Sequence, residues 1–326
     1  MVHDFVYHGK QLDSTAAVLT MATEAIGIRI IPHLHCLTSR PFSLKCPLIV
    51  PDMWFAPFVS PLDGLITALN TLRVSYKFQA INLSTPPGTK YSFGTLNHWL
   101  QNGPVILGPL DRTQLWDRME ARYYRGAAYF VLVLKGKSDG LYWIHDPEGC
   151  PYRLVSQEKI LLAIRNEKHK SGFLQIRSIS EVRSREEIFY HTFLKGAKTR
   201  FLAGTRPEGN GRGIRSLSQE LELRRLKSSE ESALNFALPS LGLSLKRVAE
   251  FIADTPRDFE KLFPNWEMIK LQLLDVLVEY GIDCAYALDE LKKYNQTGLY
   301  YRFLEMAQKE DVLDDLFLKA CRDHNY

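Results

Sequence analysis

No apolar run in this 326-residue chain approaches the ~18 residues a membrane-crossing helix needs, so nothing reads as a span. The start, Met1-Val2-His3-Asp4-Phe5, lacks the charged stretch and following apolar stretch of a secretory leader. The five cysteines (Cys36, Cys46, Cys150, Cys284 and Cys321) are odd in number, scattered and without a CxxC pair. They propose neither a zinc cage nor a disulfide framework. A reducing cytoplasm is the expected compartment. Charge of either sign is not in large excess: 41 Lys and Arg against 37 Asp and Glu leave +4, too little to require an anionic partner. Internal repeats and low-complexity tracts are also missing.

What is present suits a folded protein. Hydrophobic residues make up 45% of the chain, enough for a substantial core without staples, and the length fits two domains. The densest basic stretch runs from Lys195 through Lys198, Arg200, Arg206, Arg212, Arg215, Arg224 and Arg225 to Lys227. Phe201 is its one aromatic, so it reads as a solvated linker and helix face, not a nucleic-acid surface. Gly209-Asn210-Gly211-Arg212-Gly213 lacks the Walker lysine and hydroxyl and reads as part of the same linker.

Residues 14 to 26 have a single charge, Glu24, with Ser14 placed as an N-cap and Gly27 as a C-cap. A helix with so little polar face belongs in the middle of a domain. The proline- and aromatic-rich segment from Ile31 to Pro61 reads as loops and short strands. Helices are expected over Leu62 to Leu72 and Tyr91 to Gln101, with a strand over Tyr76 to Asn82 and a turn at Pro86-Pro87-Gly88. Strands follow at Val105 to Leu107, Ala127 to Leu134 and Leu141 to Ile144, the last two joined through Asp139-Gly140. Ser156 to Arg165 reads as an amphipathic helix. Beyond residue 204 the pattern is helical, in pieces near Ser216 to Leu226, Ser232 to Phe236, Leu245 to Ala253, Asp258 to Leu262, Trp266 to Glu279, Ala285 to Lys293 and Tyr300 to Cys321.

This order resembles papain-like cysteine peptidases: a buried N-terminal helix, a long irregular segment, then a late antiparallel hairpin followed by Asp-Pro. The spellings are similar to the double-glycine leader peptidase family, in which Asp-Cys-Gly-x-Ala opens the helix. Asp13-Ser14-Thr15-Ala16-Ala17 stands there, and Tyr129-Phe130-Val131-Leu132-Val133 stands where that family's histidine begins a strand. Asp146-Pro147 matches the family's aspartate. Over its whole length the chain also resembles the butirosin biosynthesis side-chain acyltransferase family. There Gln11-Leu12-Asp13-Ser14-Thr15-Ala16 places Leu12 under the cysteine, and Thr297 to Leu304 resembles a C-terminal Gly-rich, Phe-Arg segment. The resemblance implies an α+β fold with a papain-like domain over 1–180, in which a central buried helix lies against an antiparallel sheet. A linker over 181–215 and an α-helical domain over 216–326 complete the expected layout.

The resemblance places Ser14, Tyr129 and Asp146 at the nucleophile, base and orienting positions. A cysteine works there because a helix N-terminus and an imidazolium stabilise its thiolate. A serine hydroxyl needs an adjacent base instead, and a tyrosine with pKa near 10 is a poor one. Asp146, before a proline, also suits a plain turn. His145, its neighbour on a strand, should face the other way, so the two do not form a dyad. His33, His35, Cys36 and Cys46 fit no familiar metal spacing. Gln11, Asp13, Trp54, Tyr124 and Arg125 are the expected substrate-binding residues.

Three readings follow. The first is a non-hydrolytic papain-like protein of bacterial natural-product or peptide biosynthesis that binds a peptide or acyl-carrier-linked intermediate. The second is an acyltransferase, or an amide-forming or amide-cleaving enzyme, with Ser14 as nucleophile. The third is a structural protein acting through its helical half. None calls for a cofactor, a metal, nucleic acid or a membrane, and the sequence leaves the oligomeric state open.

Overall fold

A computed structural model of the chain describes residues 7, 14–27, 34–38, 41–46, 55–57, 59–81, 86–115, 129–136, 139–147, 150–165, 171–179 and 183–322. From the N-terminus the elements are α1 (Ser14–Glu24), α2 (Leu34–Leu37), β1 (Leu44–Lys45), β2 (Ala56–Pro57), α3 (Pro61–Thr71), β3 (Val74–Ala80) and α4 (Pro86–Trp99). Next are β4 (Val105–Leu110), α5 (Arg112–Leu115), β5 (Tyr129–Gly136), β6 (Leu141–Asp146), β7 (Cys150–Ser156), α6 (Gln157–Arg165) and β8 (Gly172–Ile179). Six helices finish the chain: α7 (Arg185–Gly204), α8 (Asn210–Leu223), α9 (Ser228–Ala253), α10 (Phe259–Leu262), α11 (Trp266–Lys292) and α12 (Gln296–Cys321). The fold is α+β, with an antiparallel sheet in the first half and helices in the second. No helix among the described residues is long and apolar enough to cross a membrane.

Two compact units divide the chain at places the sequence did not mark. One comprises residues 1–34 and 61–182; the other comprises 35–60 and 183–326. In the first, a six-stranded antiparallel sheet has the order β3-β8-β4-β5-β6-β7. Helix α1 contacts β4, β5 and α3, and all but two of its eleven residues are buried, as its near-absence of charge requires. It ends where Gly27 adopts φ +83°, with the Gly27 amide donating to Glu24 O at 2.9 Å. Strand β4 is buried along its whole length and carries the sheet's core, in which Phe93, Leu107, Tyr142, Ile144, Ile160 and Phe173 meet. Pro86 and Pro87, expected in a turn, open α4 instead; a missing amide proton costs nothing in a helix's first turn. Strand β8, unread in the sequence, fills the gap between β3 and β4.

The second unit corrects the expected linker over 181–215, most of which is helix. Ser184 and Glu187 form a capping box at the start of α7, and α8 follows after a short turn. The glycines that read as flexible are there for close contact. A Cβ on Gly209 would collide with Ala203 O and one on Gly213 with Glu208 O, and one on Gly211 would meet Ala307 O at 2.8 Å. Asn210, at φ +43°, donates from Nδ2 to Arg200 O at 3.0 Å and accepts from the Leu44 amide at 3.3 Å. Residues 41–46 are tied into this unit in the same way: the Phe42 ring lies where a Cβ on Gly196 would have to be.

Arg200 is the centre of those ties. Its guanidinium is buried, donates to Phe42 O at 3.0 Å and Glu310 O at 2.9 Å, and pairs with the Glu310 carboxylate and with Asp314. Burial works against its charge, but the two carboxylates outweigh burial and hold Arg200 above the usual arginine range. Removing one member of such a pair leaves a buried charge uncompensated. We therefore expect Arg200→Met to lower stability by about 3–5 kcal/mol in urea titration, and a loss below about 1 kcal/mol would contradict this assignment.

Candidate functional site

Ser14 is the first residue of α1, and its place follows from how α1 packs. With the helix enclosed against β5, the Ser14 hydroxyl accepts a hydrogen bond from the Phe130 amide at 3.3 Å. The side chain expected as a helix cap thus ties the helix start to the strand. Tyr129, the residue before Phe130, opens β5, and Asp146 closes β6. Leu132 stands opposite His145 in the antiparallel register, so the start of β5 and the end of β6 meet. The Tyr129 hydroxyl donates to Asp146 Oδ1. The three residues that the sequence nominated from places up to 132 positions apart therefore converge, through Ser14 against the backbone of β5 and Tyr129 against Asp146.

The site is closed. Ser14 is 7% exposed, Tyr129 3% and Asp146 2%, and Tyr129 belongs to the hydrophobic core of the sheet. Such burial suits a neutral phenol that has found an acceptor, and it does not suit a base. While Tyr129 donates its proton to Asp146 it is a neutral phenol, which cannot take up the Ser14 proton. The Asp146 carboxylate is thus the acceptor that holds the Tyr129 phenol in place.

Among the described residues, two that the sequence did not nominate also stand at this pair. The Tyr7 hydroxyl donates to the Asp146 backbone carbonyl, and the Arg112 guanidinium lies 5.6 Å from the centre of the Tyr129 ring. Neither belongs to a motif: Tyr7 is 139 residues from its acceptor, and Arg112 follows β4 at the start of a single helical turn. The local order around Arg112 comes from Asp111, whose Oδ1 accepts from the Thr113 amide at 2.9 Å and hydroxyl at 2.7 Å.

His145 turns away from Asp146, as alternation along a strand requires. Its Nδ1 accepts from the Tyr152 amide at 3.1 Å, and its buried ring lies edge-on to Tyr7 and Tyr152, at 5.2 and 4.5 Å between centres. With Nδ1 as acceptor, the neutral ring carries its proton on Nε2. Cys36 and Cys46 lie in the helical unit: the Cys36 thiol donates to Arg247 O at 3.6 Å, and burial pushes the Cys46 thiol up to about 12. That shift is the reverse of what a nucleophile or a metal ligand needs. Gln11, Asp13, Trp54, Tyr124 and Arg125, expected to bind substrate, lie outside the described residues, as does His33.

Losing the Tyr129 hydroxyl would take one donor away from the buried Asp146 carboxylate. Tyr129→Phe should lower stability by about 1–3 kcal/mol, read by thermal or urea denaturation. The double change Tyr129→Phe with Asp146→Leu should recover part of that loss, because both polar partners leave together. A single variant as stable as the parent would remove this pair from the account.

No family model matches the chain. A stretch of 101 residues is 31% identical to a protein of Bacillus subtilis (strain 168) described as "Uncharacterized protein YobF". The similarity covers 30% of this chain and 31% of that protein, so it spans about a third of either.

Proposed function

We propose that the α+β unit is a papain-like domain that no longer hydrolyses, and that it binds a peptide or an acyl-carrier-linked intermediate in bacterial natural-product or peptide biosynthesis. The observation that carries this reading is the hydrogen bond from Tyr129 to Asp146, with Ser14 held by the amide next to Tyr129. Nucleophile, base and orienting positions of the papain-like plan are occupied in the right order, on the helix start, the strand start and the end of the hairpin. Two of the three residue types are changed. The new types stabilise one another, and the proton path that hydrolysis requires is gone.

Acylation at Ser14 is the reading this one displaces. A hydroxyl on a helix N-terminus gains too little from the helix field to ionise alone.

The test is a panel of leader-type peptides and of acylated carrier proteins, followed by calorimetry for binding and mass spectrometry for turnover. Saturable binding without turnover is expected, with Ser14→Ala changing the affinity less than about threefold. A serine-directed fluorophosphonate should leave Ser14 unlabelled. Turnover that disappears in Ser14→Ala would establish the enzyme reading instead. Failure of every member of the panel to bind would leave a structural role.

A further inference from the structure

Helix α11 carries two apolar stripes. The first, Ile269, Leu273, Leu277, Tyr280, Cys284, Ala287 and Leu291, is buried, on a helix that contacts α9 and α12. The second, on another face, is exposed: Met268, Leu271, Val278 and Ile282 are 48% to 63% accessible, and Asp275 and Ala285 between and beyond them are exposed as well. These six positions advance by three and four residues alternately, the spacing of a two-helix seam. Single exposed apolar residues need no explanation, but a stripe of this length on an otherwise satisfied helix does.

We propose that this face pairs with the same face of a second copy of the chain, the two α11 helices lying antiparallel about a two-fold axis. The register is self-complementary. With Met268, Asp275 and Ile282 at one seam position and Leu271, Val278 and Ala285 at the other, antiparallel pairing sets Met268 against Ala285 of the second copy. It likewise sets Leu271 against Ile282 and Asp275 against Val278, and each contact occurs twice, as an isologous interface demands. Flanking residues match too. Gln272 falls beside Glu279 of the second copy, an amide donor against a carboxylate. Leu274 falls beside Gly281, where open space surrounds the missing Cβ.

The direction of pairing is decided by Asp275. Parallel helices would set the two Asp275 carboxylates in one layer, whereas antiparallel helices place each against Val278 and separate the charges by a layer. One flank of the stripe already has the polar rim of an interface. Glu279 pairs with Lys309, Asp283 lies 3.9 Å from Arg302, and Arg302 also bonds Glu305 and covers the Tyr286 ring at 4.7 Å. Met268, Leu271, Val278, Ile282 and Tyr286 offer on the order of 500 Å² per copy, so about 1,000 Å² for the pair, near the lower bound of a specific interface. A second copy is favoured over a different partner because one stripe supplies both halves of every contact.

Sedimentation equilibrium of the full chain over a range of concentrations tests this. The chain should reach twice its monomer mass, and Leu271→Glu with Ile282→Glu should return it to the monomer with unchanged helical circular dichroism. Asp275→Asn, which removes the residual like-charge repulsion, should tighten the dimer several-fold; a basic partner helix would instead lose affinity on that change. The double variant Met268→Cys/Ala285→Cys should form an intersubunit disulfide on mild oxidation, which fixes the register even if the glutamate variant misfolds. A wild-type chain that stays monomeric at ~100 μM overturns the proposal. So does a dimer that is indifferent to the glutamates, or one that the paired cysteines fail to crosslink.

Discussion

An eleven-residue helix with nine buried residues has no face to give to water, so the domain around α1 must enclose it. The sheet does so with β4 and β5, and α3 closes on it as well. Once the helix is enclosed, its first residue has to lie against the start of β5, and the antiparallel register brings the end of β6 to the same place. The position of the candidate site is therefore a consequence of core packing. Its chemistry is a separate matter, because Ser14, Tyr129 and Asp146 could be exchanged for other residues without altering what encloses α1.

At this position burial and hydrogen bonding point the same way. A thiolate–imidazolium pair in such an apolar setting needs two opposite charges to stabilise each other, and each becomes costly if its partner is lost. A serine hydroxyl accepting from an amide and a phenol donating to a carboxylate leave one charge to satisfy, and Asp146 receives donors at both its side chain and its carbonyl. The helical unit is held on a similar principle, with buried Arg200 between Glu310, Asp314 and the carbonyl of Phe42.

How much of this the sequence revealed depended on how local the signal was. Helix α1 and its end at Gly27 follow from charge scarcity and one positive-φ glycine, and the β5–β6 hairpin follows from its apolar run and Asp139-Gly140. The α+β division was legible for the same reason. Strand β8 was not, since its partners β3 and β4 lie up to about a hundred residues away. Strand β7 carries Pro151, which is tolerated because β7 is a sheet edge. The attachment of residues 35–60 to the helical unit depends on Phe42 meeting Gly196 and Arg200, contacts with no local trace. Helix α7 was legible and missed: Ser184-Arg185-Glu186-Glu187 spells a capping box, but the glycines and basic residues downstream read as a linker. At the site Ser14, Tyr129 and Asp146 were nominated through resemblance, while Tyr7 and Arg112 reach them only through the fold.

The central claim is that Ser14, Tyr129 and Asp146 occupy a working triad's positions without its chemistry, and restoring that chemistry tests it most directly. The measurement is the pH dependence of alkylation at position 14, followed by mass spectrometry, in Ser14→Cys and in Ser14→Cys/Tyr129→His. The account predicts a thiol at or above its ordinary pKa of about 8.5 in the single variant. In the double variant the introduced histidine, oriented by Asp146, should lower that value by at least about one unit and make the thiol reactive at neutral pH. Identical profiles in the two variants would contradict the account, because position 129 would then not address position 14.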